Sequence, residues 1–267
     1  MSSPLFSFAV LSDLHFMAYK EPERPVDWVP FLREEISHLN AMQPSFIVVN
    51  GDLTNGKERD YRLAMTAFAQ CSMPVYYTMG NHEYYGCYEE ENFTSEKAHH
   101  RFLDWTSMPW IYFEKRIGGI SMLFLSTEHY APDSNEAAWL SKRQLDWLEE
   151  RLSTANGCTS LVFLHHPVNG TVAASENTCR ESTPILEIFE RYPNVILFSG
   201  HTHCRMDRED QIVRRKDAVF VGGGCLYEDF PQSRWVDVYP DHIILRIYCH
   251  LEHKWLDTFK TSLPIRR

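Results

Sequence analysis

Short apolar runs alternate with longer amphipathic segments over the first 200 residues, and this alternation constrains the fold more than any other feature. The apolar runs suit buried strands that end at turn residues. The segments between them repeat apolar residues at helical spacing. The runs lie at 5–12, 45–50, 74–79, 120–126, 160–166 and 195–200, and the helical segments at 29–42, 58–70, 142–153 and 184–191. This order predicts an α/β fold around a largely buried sheet.

The chain after about residue 210 has a different pattern. Short strand-like stretches, among them DAVFVGGG at 217–224 and RWVDVYPDHIILRIY at 234–248, follow one another with little helix between them. They predict antiparallel hairpins. Because no linker rich in Gly, Ser or Pro separates this part, we expect a single domain over residues 1–267. The hairpins from about 210 would complete a second mixed sheet and so a sandwich.

Composition and charge narrow the class of protein. Of the 267 residues, 44% are hydrophobic, enough to bury a core. No window approaches the roughly 20 apolar residues of a membrane helix, and the N-terminus lacks the basic region of a secretion signal, so we expect a cytosolic protein without a membrane partner. The seven scattered cysteines lack C-x-x-C spacing, which argues against a disulfide framework and a thiolate zinc site.

Net charge bears on the partners of the chain. The value is −10, which disfavours a nucleic-acid partner, because binding along a phosphate backbone requires clustered Lys and Arg. The one basic run, Arg214, Arg215 and Lys216, is short. We expect this run at a solvated hairpin end.

Five of the predicted strands end in side chains that can bind metals. In FAVLSDLHF, residues 8–16, the apolar run stops at Asp13 and His15, and in an extended segment side chains two residues apart point the same way. The other residues at strand ends are Asp52, Asn81 with His82, His165 with His166, and His201 with His203. Ligands of α/β folds bind beyond the carboxyl ends of the strands. Five such ends in one chain therefore predict a metal site.

The order of these motifs, D-x-H, GD, GNHE, H and GHTH, resembles the calcineurin-like metallophosphoesterase superfamily, in particular its branch of class III cyclic-nucleotide phosphodiesterases. The resemblance covers residues 8 to about 203. It implies a four-layer αββα sandwich of two mixed sheets flanked by helices, with two transition-metal ions (Mn, Fe, Zn or Co) at the strand C-terminal ends. The implied ligands are Asp13, His15, Asp52 and His203 for one ion, and Asp52, Asn81, His165 and His201 for the other.

The resemblance also implies roles for residues that are not ligands. His82 would protonate the leaving group or stabilise the transition state. We expect His166 to support the site or to pack, and Glu83 to orient a partner rather than to bind metal. Purple acid phosphatases carry a tyrosine ligand three residues after the bridging aspartate, whereas this chain has Asn55 there. An iron–tyrosinate site is therefore not expected.

A metal-dependent phosphoester hydrolase is the function implied, because two metal ions that share a water lower its pKa and direct the resulting hydroxide at phosphorus. We expect a phosphodiesterase acting on a nucleotide or another small diester. A phosphomonoesterase and a nucleotide pyrophosphatase are the alternatives. A noncatalytic protein-interaction module on the same fold is disfavoured, because every ligand position is filled.

Two segments are expected to be loops that shape the substrate pocket, residues 84–101 and 167–182. The first contains Tyr84, Tyr85 and Tyr88. Aromatic rings beside a site can stack on a base, although tyrosines in a loop more often pack against the protein.

Overall fold

Helices and strands of the chain follow the predicted alternation, as seen in a computed structural model that describes residues 3–19, 28–130, 136–227 and 229–267. The helices are α1 (Trp28–Met42), α2 (Glu58–Phe68), α3 (Ser95–Thr106), α4 (Lys142–Thr154) and α5 (Ser182–Arg191). The strands are β1 (Phe6–Leu11), β2 (Phe46–Asn50), β3 (Val75–Thr78), β4 (Phe113–Ile117), β5 (Ile120–Phe124), β6 (Ser160–Phe163), β7 (Val195–Ser199), β8 (Ile212–Arg215), β9 (Ala218–Gly222), β10 (Gln232–Val238), β11 (His242–Cys249), β12 (Lys254–Trp255) and β13 (Thr261–Pro264).

The strands form two mixed sheets. The first has the order β12-β11-β10-β1-β2-β3, with β13 also paired to β11, and the second has the order β4-β5-β6-β7-β9-β8. Strands β1, β2 and β3 run parallel, as do β5, β6, β7 and β9. Because parallel strands end at the same edge of a sheet, the residues that follow these strands are brought together.

Strand β1 shows how the layers are built. Its side chains alternate between the two faces of the sheet. Phe8 and Val10 belong to the core between the sheets, whereas Ala9 and Leu11 pack in the cluster that includes Leu32 of α1. Helices therefore cover the sheets on their outer faces, and the predicted αββα sandwich is confirmed.

The segment 84–101 is not the loop that we expected. It forms a 3₁₀ turn over His82–Tyr88 and then the first half of α3. Thr94 caps α3, since its hydroxyl accepts a hydrogen bond from the backbone N–H of Lys97 at 3.2 Å. Ala98 and Phe102 are buried on one face of this helix.

The strands after residue 210 are divided between the sheets. Strands β8 and β9 form a hairpin in the second sheet, whereas β10 pairs with β1 in the first sheet and is followed there by β11 to β13. Arg214, Arg215 and Lys216 are exposed at the β8–β9 turn, as expected for a solvated hairpin end. A single domain over residues 1–267 stays a prediction.

Two further observations bear on the expected class of protein. Among the helices of the described ranges, none is both long enough and apolar enough to cross a membrane. All seven cysteines are free thiols.

Candidate metal centre

Metal-capable side chains from both sheets meet beyond the ends of β1, β2, β3, β6 and β7. In three groups, one ligand atom from each of three residues lies within 4.8 Å of the other two. The groups are Asp13 with His15 and His203, His15 with Asp52 and His82, and Asp52 with His165 and His201. Asp52 links the second group to the third. The fold therefore brings the predicted residues together, while their individual roles as ligands stay predictions.

The backbone at this edge adopts an uncommon conformation. The φ angles of Asp13, His15, Asp52, His201 and His203 lie between 47° and 68°. Such left-handed conformations cost roughly 1–3 kcal/mol each in residues other than glycine, and they cluster at functional sites. Asp13 and His15 thus converge from a turn and not from the extended segment that we expected. The distance between His15 Nε2 and Asp13 Oδ1 is 3.9 Å.

Two glycines of the motifs permit this close packing. A Cβ atom on Gly51 would lie 2.5 Å from the ring of His165, and one on Gly80 would lie 2.2 Å from Asp52 Oδ1. Any side chain at either position would displace a predicted ligand. The glycines before Asp52 and Asn81 are therefore required by the site rather than by the turns alone.

Asp13 is held as a carboxylate. It is fully buried, and its Oδ2 accepts hydrogen bonds from the Ser12 hydroxyl at 2.5 Å and from the backbone N–H of His201 at 3.1 Å. Burial by itself would raise the pKa of Asp13, but the neighbouring His165 and His203 outweigh burial and hold that pKa below its ordinary value.

His165 has one satisfied and one unsatisfied ring nitrogen. Its Nδ1 donates to the carbonyl of Asn50 at 2.8 Å, and because a carbonyl only accepts, Nδ1 carries the proton. Nε2 is buried without a hydrogen-bond partner in the described structure and lies 3.1 Å from Asp52 Oδ2. In the neutral ring, the Nε2 lone pair faces a carboxylate. A cation shared by the two atoms would remove this repulsion.

The electrostatics of His165 agree with that requirement for positive charge. Burial alone would lower the pKa of His165, but Asp52 and Asp13 raise it to about 9. A proton supplies the positive charge when no metal ion does. Binding of a metal ion would displace this proton, as metal binding to histidine generally does. The donor set of imidazoles and carboxylates fits transition-metal ions such as Mn, Fe, Zn and Co.

Asn81 is oriented by a carboxylate that the sequence did not reveal. Its Oδ1 lies 3.1 Å from His201 Nδ1, and its Nδ2 donates to Glu136 Oε2 at 2.8 Å. Glu136 also accepts a hydrogen bond from the Tyr85 hydroxyl at 2.5 Å. The amide oxygen of Asn81 is thereby turned toward the predicted ligands. Glu136 lies 55 residues after Asn81 in the chain and belongs to no motif.

His82 is held at the opening of the site. Its Nδ1 lies 2.9 Å from Asn55 Oδ1, and its Nε2 lies 3.8 Å from Asp52 Oδ2. The side chain is 22% exposed, whereas the imidazole of His165 is fully buried. Burial lowers the pKa of His82 to about 3. Asn55, which the sequence analysis used only to exclude a tyrosinate, is therefore a positioning residue for His82.

Glu83 joins the two loops that carry Asp52 and Asn81. Its buried carboxylate accepts the backbone N–H groups of Asp52 at 3.0 Å, Thr54 at 3.1 Å and Gly80 at 2.7 Å. This is the arrangement of an orienting partner, as expected for Glu83. Burial and then the charge of Asp52 raise its pKa to about 8.

His166 and Tyr84 pack beneath the site. His166 Nε2 donates to the carbonyl of Glu136 at 3.0 Å, and the ring lies 4.4 Å from that of His201. Tyr84 is fully buried, and its hydroxyl donates to the carbonyl of Thr127 at 2.7 Å. Tyr84 therefore packs against the protein, the outcome that the sequence analysis gave as the commoner one, and is not available to stack on a substrate. Tyr88 is 62% exposed and keeps its ring accessible.

The fold and the cluster together define a class of protein, the αββα sandwiches whose strand ends gather histidine and aspartate for more than one metal ion. Within that class, this chain belongs to the calcineurin-like phosphoesterase family, whose profile it matches over residues 6–205. The predicted family is confirmed.

Individual relatives support the same conclusion. The chain is 25% identical over 181 residues to the glycerophosphodiester phosphodiesterase GpdQ of Enterobacter lignolyticus, an alignment that covers 63% of this chain and 60% of that protein. It is 23% identical over 323 positions to a manganese-dependent ADP-ribose/CDP-alcohol diphosphatase of Homo sapiens, with 92% and 90% covered. The match to the mouse protein of that name spans 35% of its length. The chain thus spans less than two thirds of the length of two of these three relatives.

Solved structures share the fold. A dimetal phosphatase from Danio rerio superposes with a TM-score of 0.72 at 15% identity and covers 99% of both chains. A purple acid phosphatase from yellow lupin superposes with a TM-score of 0.69 at 12% identity, covering all of this chain and 54% of the other. The chain therefore shares its fold with a known dimetal phosphatase and with a purple acid phosphatase.

Proposed function

We propose that the chain hydrolyses phosphoesters with two metal ions bound at the strand ends. One ion would be held by Asp13, His15, Asp52 and His203, and the other by Asp52, Asn81, His165 and His201. Asp52 is the bridging ligand in this proposal. Its position in two of the three ligand groups supports that role.

The observation that carries the proposal is the pair formed by His165 and Asp52. Both side chains are at most 1% exposed, and His165 Nε2, which has no hydrogen-bond partner among the described residues, faces Asp52 Oδ2 at 3.1 Å. Burying the unprotonated nitrogen of a neutral imidazole opposite a carboxylate is costly. Ions shared between them offset that cost and explain why the fold maintains the arrangement.

When bound, two metal ions polarise phosphate oxygens and lower the pKa of a coordinated water. Around them, the residues of this chain would position the substrate and move protons. His82 Nε2 lies 3.8 Å from Asp52 Oδ2, while Asn55 holds the opposite ring nitrogen at 2.9 Å. In this orientation His82 would act on the departing oxygen, either by donating a proton or by stabilising the transition state. Donation requires that the bound anionic substrate raise the pKa of His82 from about 3.

Phosphodiesters and diphosphates of small molecules are the substrates that we favour. One relative is named as a glycerophosphodiester phosphodiesterase and another as an ADP-ribose/CDP-alcohol diphosphatase. Tyr85 packs against His82 with a centroid distance of 3.9 Å, and Tyr88 is exposed beside it. These rings would offer a stacking surface for a base.

The seven free thiols support a cytosolic location.

A hydrolysis panel tests this proposal. The chain would be reconstituted separately with Mn, Fe, Zn and Co, and assayed on bis(p-nitrophenyl) phosphate, glycerophosphodiesters, cyclic nucleotides, ADP-ribose and mononucleotides. We expect metal-dependent release from diesters or diphosphates that exceeds release from monoesters. A preference for monoesters would contradict the proposed substrate class. Absence of hydrolysis with all four metals would contradict the proposed activity.

A further inference from the structure

A second polar site lies at a side edge of the sandwich, where β8 of one sheet approaches β13 of the other. A cleft of about 560 Å³ opens there. Four cationic side chains and one carboxylate line it: Arg208, Arg214, Arg234, Lys260 and Glu209. This excess of positive charge contrasts with the net charge of −10 for the whole chain. The cleft is therefore a local exception to the acidity of the protein.

Arg234 is the unusual member of this group. It lies on β10, is 1% exposed, and donates from Nη2 to the carbonyl of Gly222 at 2.9 Å. Its Nε and Nη1 atoms have no hydrogen-bond partner within the described ranges. Burial lowers the pKa of Arg234 to about 10, so the guanidinium remains charged at neutral pH. A buried charge without a counter-charge is strongly destabilising.

The mouth of the cleft offers further positive charge. Arg208 is already paired with Asp210, with nitrogen–oxygen distances of 2.6 and 2.8 Å. Arg214 and Lys260 are exposed, and neither forms a salt bridge with another described residue. Their charges are thus available to a ligand. Arg215, next to Arg214 on the same strand, does not line the cleft.

We propose that this cleft binds the phosphate group of a small ligand, with Arg214 and Lys260 at its mouth and Arg234 at its floor. Guanidinium groups match the geometry of phosphate oxygens and form charge-assisted hydrogen bonds with them. The negative charge of the phosphate would also serve as the counter-charge for the buried guanidinium of Arg234. The site is independent of the proposed metal centre, since it shares none of the residues placed there.

Crystallography with tungstate, a heavy analogue of phosphate, locates the site directly. Crystals of the metal-loaded protein would be soaked in tungstate, and anomalous difference density would be calculated. We expect a peak between Arg214, Arg234 and Lys260, separate from any peak at the strand ends. Density at the strand ends alone would contradict the proposal.

Calorimetric titration with inorganic phosphate tests the site in solution. The wild-type, metal-loaded protein should bind phosphate at a class of site that depends on Arg214 and Lys260. The double substitution Arg214→Ala with Lys260→Ala should weaken this class by about tenfold or more, since hydrogen bonds to charged groups are the strong ones. Arg215→Ala, the matched control, should leave it unchanged. Equal weakening in the control, or no weakening in the double variant, would overturn the proposal.

Substitution of Arg234 separates binding from folding. Arg234→Met removes the charge with little change in side-chain length, and it should abolish the same class of phosphate site. Without phosphate, its melting temperature should equal or exceed that of the wild type, because an unpaired buried charge has been removed. A folded Arg234→Met variant that binds phosphate at the cleft like the wild type would contradict the role of Arg234.

A parallel titration with AMP distinguishes free phosphate from the phosphate of a nucleotide. Tighter binding of AMP than of phosphate, with the same dependence on Arg214 and Lys260, would identify a nucleotide as the ligand. Phe259, which is 38% exposed and lines the cleft, would then contact the nucleoside. Equal affinities would identify the phosphate group alone.

Discussion

The cluster at the strand ends differs from a second buried cluster of histidine and carboxylate, in which Glu35 of α1, Ser233 of β10 and His250 after β11 meet. There His250 Nδ1 lies 2.6 Å from Glu35 Oε2, and Nε2 lies 2.9 Å from Ser233 Oγ. All three residues are at most 2% exposed. Each ring nitrogen of His250 has its own partner, and the cluster is complete without an ion.

At the strand ends, by contrast, ligand atoms face one another. His165 Nε2 opposes Asp52 Oδ2, and His15 Nε2 lies 3.3 Å from His203 Nε2. The comparison shows that burial of histidine beside carboxylate does not by itself indicate a metal site. The indication comes from convergence of several ligand atoms on one point, one of which, His165 Nε2, lacks a hydrogen-bond partner among the described residues, together with a strained backbone. Substitutions at the strand ends should therefore mainly reduce activity, whereas substitutions in the second cluster should mainly reduce stability.

The largest difference should follow from Asp52→Asn compared with Glu35→Gln. Asp52→Asn removes the charge proposed to be shared by both ions, and it should reduce activity by more than the roughly 100-fold loss typical of partners outside the coordination sphere. Glu35→Gln should keep its activity while losing about 1–3 kcal/mol of stability, because a charged hydrogen bond is weakened. Steady-state kinetics and urea unfolding measure both. Full activity of Asp52→Asn would refute its bridging role.

His82→Ala should have the next largest effect. General acid catalysis contributes roughly 10² to 10⁴ in rate, and it matters most when the leaving group is a poor one. The variant should keep its metal ions, lose activity on alkyl esters within this range, and lose distinctly less on nitrophenyl esters. Values of kcat and metal content for both substrates check this. Equal losses would indicate stabilisation of the transition state, and loss of metal would make His82 a ligand.

A smaller effect is expected from Glu136, which acts only through Asn81. Glu136→Ala should weaken binding of the second ion by about 10- to 100-fold, as losses of such partners do. Glu136→Gln should restore much of the affinity, because its amide oxygen can still accept from Asn81 Nδ2. Metal titration of both variants measures this. Identical affinities of the wild type and Glu136→Ala would exclude the positioning role.

The smallest effect concerns the pH dependence of stability in the second cluster. Burial, with the charges of His38 and His253, lowers the pKa of His250 although Glu35 opposes this. The unfolded chain then binds a proton below about pH 6.5 that the folded chain does not, so stability falls as pH decreases from that value. His250→Gln should flatten this slope. Urea unfolding between pH 5 and pH 8 would reveal it, and an unchanged slope would contradict the assignment.

The strand ends and the metal-capable residues that follow them could be predicted because both signals are local in the sequence. An apolar run followed by Asp or His needs no knowledge of distant contacts, and parallel pairing then brings the ends together. The roles of Glu136 and of Asn55 could not be predicted in this way, because each acts through a side chain at least 27 residues away. The choice between packing and stacking for Tyr84 could not be made from the sequence for the same reason, since its hydroxyl bonds to Thr127, 43 residues away.

Strand β4 and helix α3 were not predicted from the sequence, because charged residues interrupt the apolar pattern of both elements. Strand β4, with the sequence FEKRI, exposes charged side chains at the edge of its sheet, and its pattern resembles a turn. Helix α3 begins within a charged stretch that follows the GNHE motif. Pairing of β10 with β1 joins residues that are more than 200 positions apart, and no local pattern encodes it.

Counting the metal ions tests the central claim most directly. Elemental analysis of the chain after reconstitution and removal of excess metal should give about two ions per chain, the number in a two-metal site. The Glu35→Gln variant should give the same number, and Asp52→Asn a clearly lower one. A reproducible value of one or zero in the wild type with Mn, Fe, Zn and Co, or two ions retained by Asp52→Asn, would contradict a dinuclear centre bridged by Asp52.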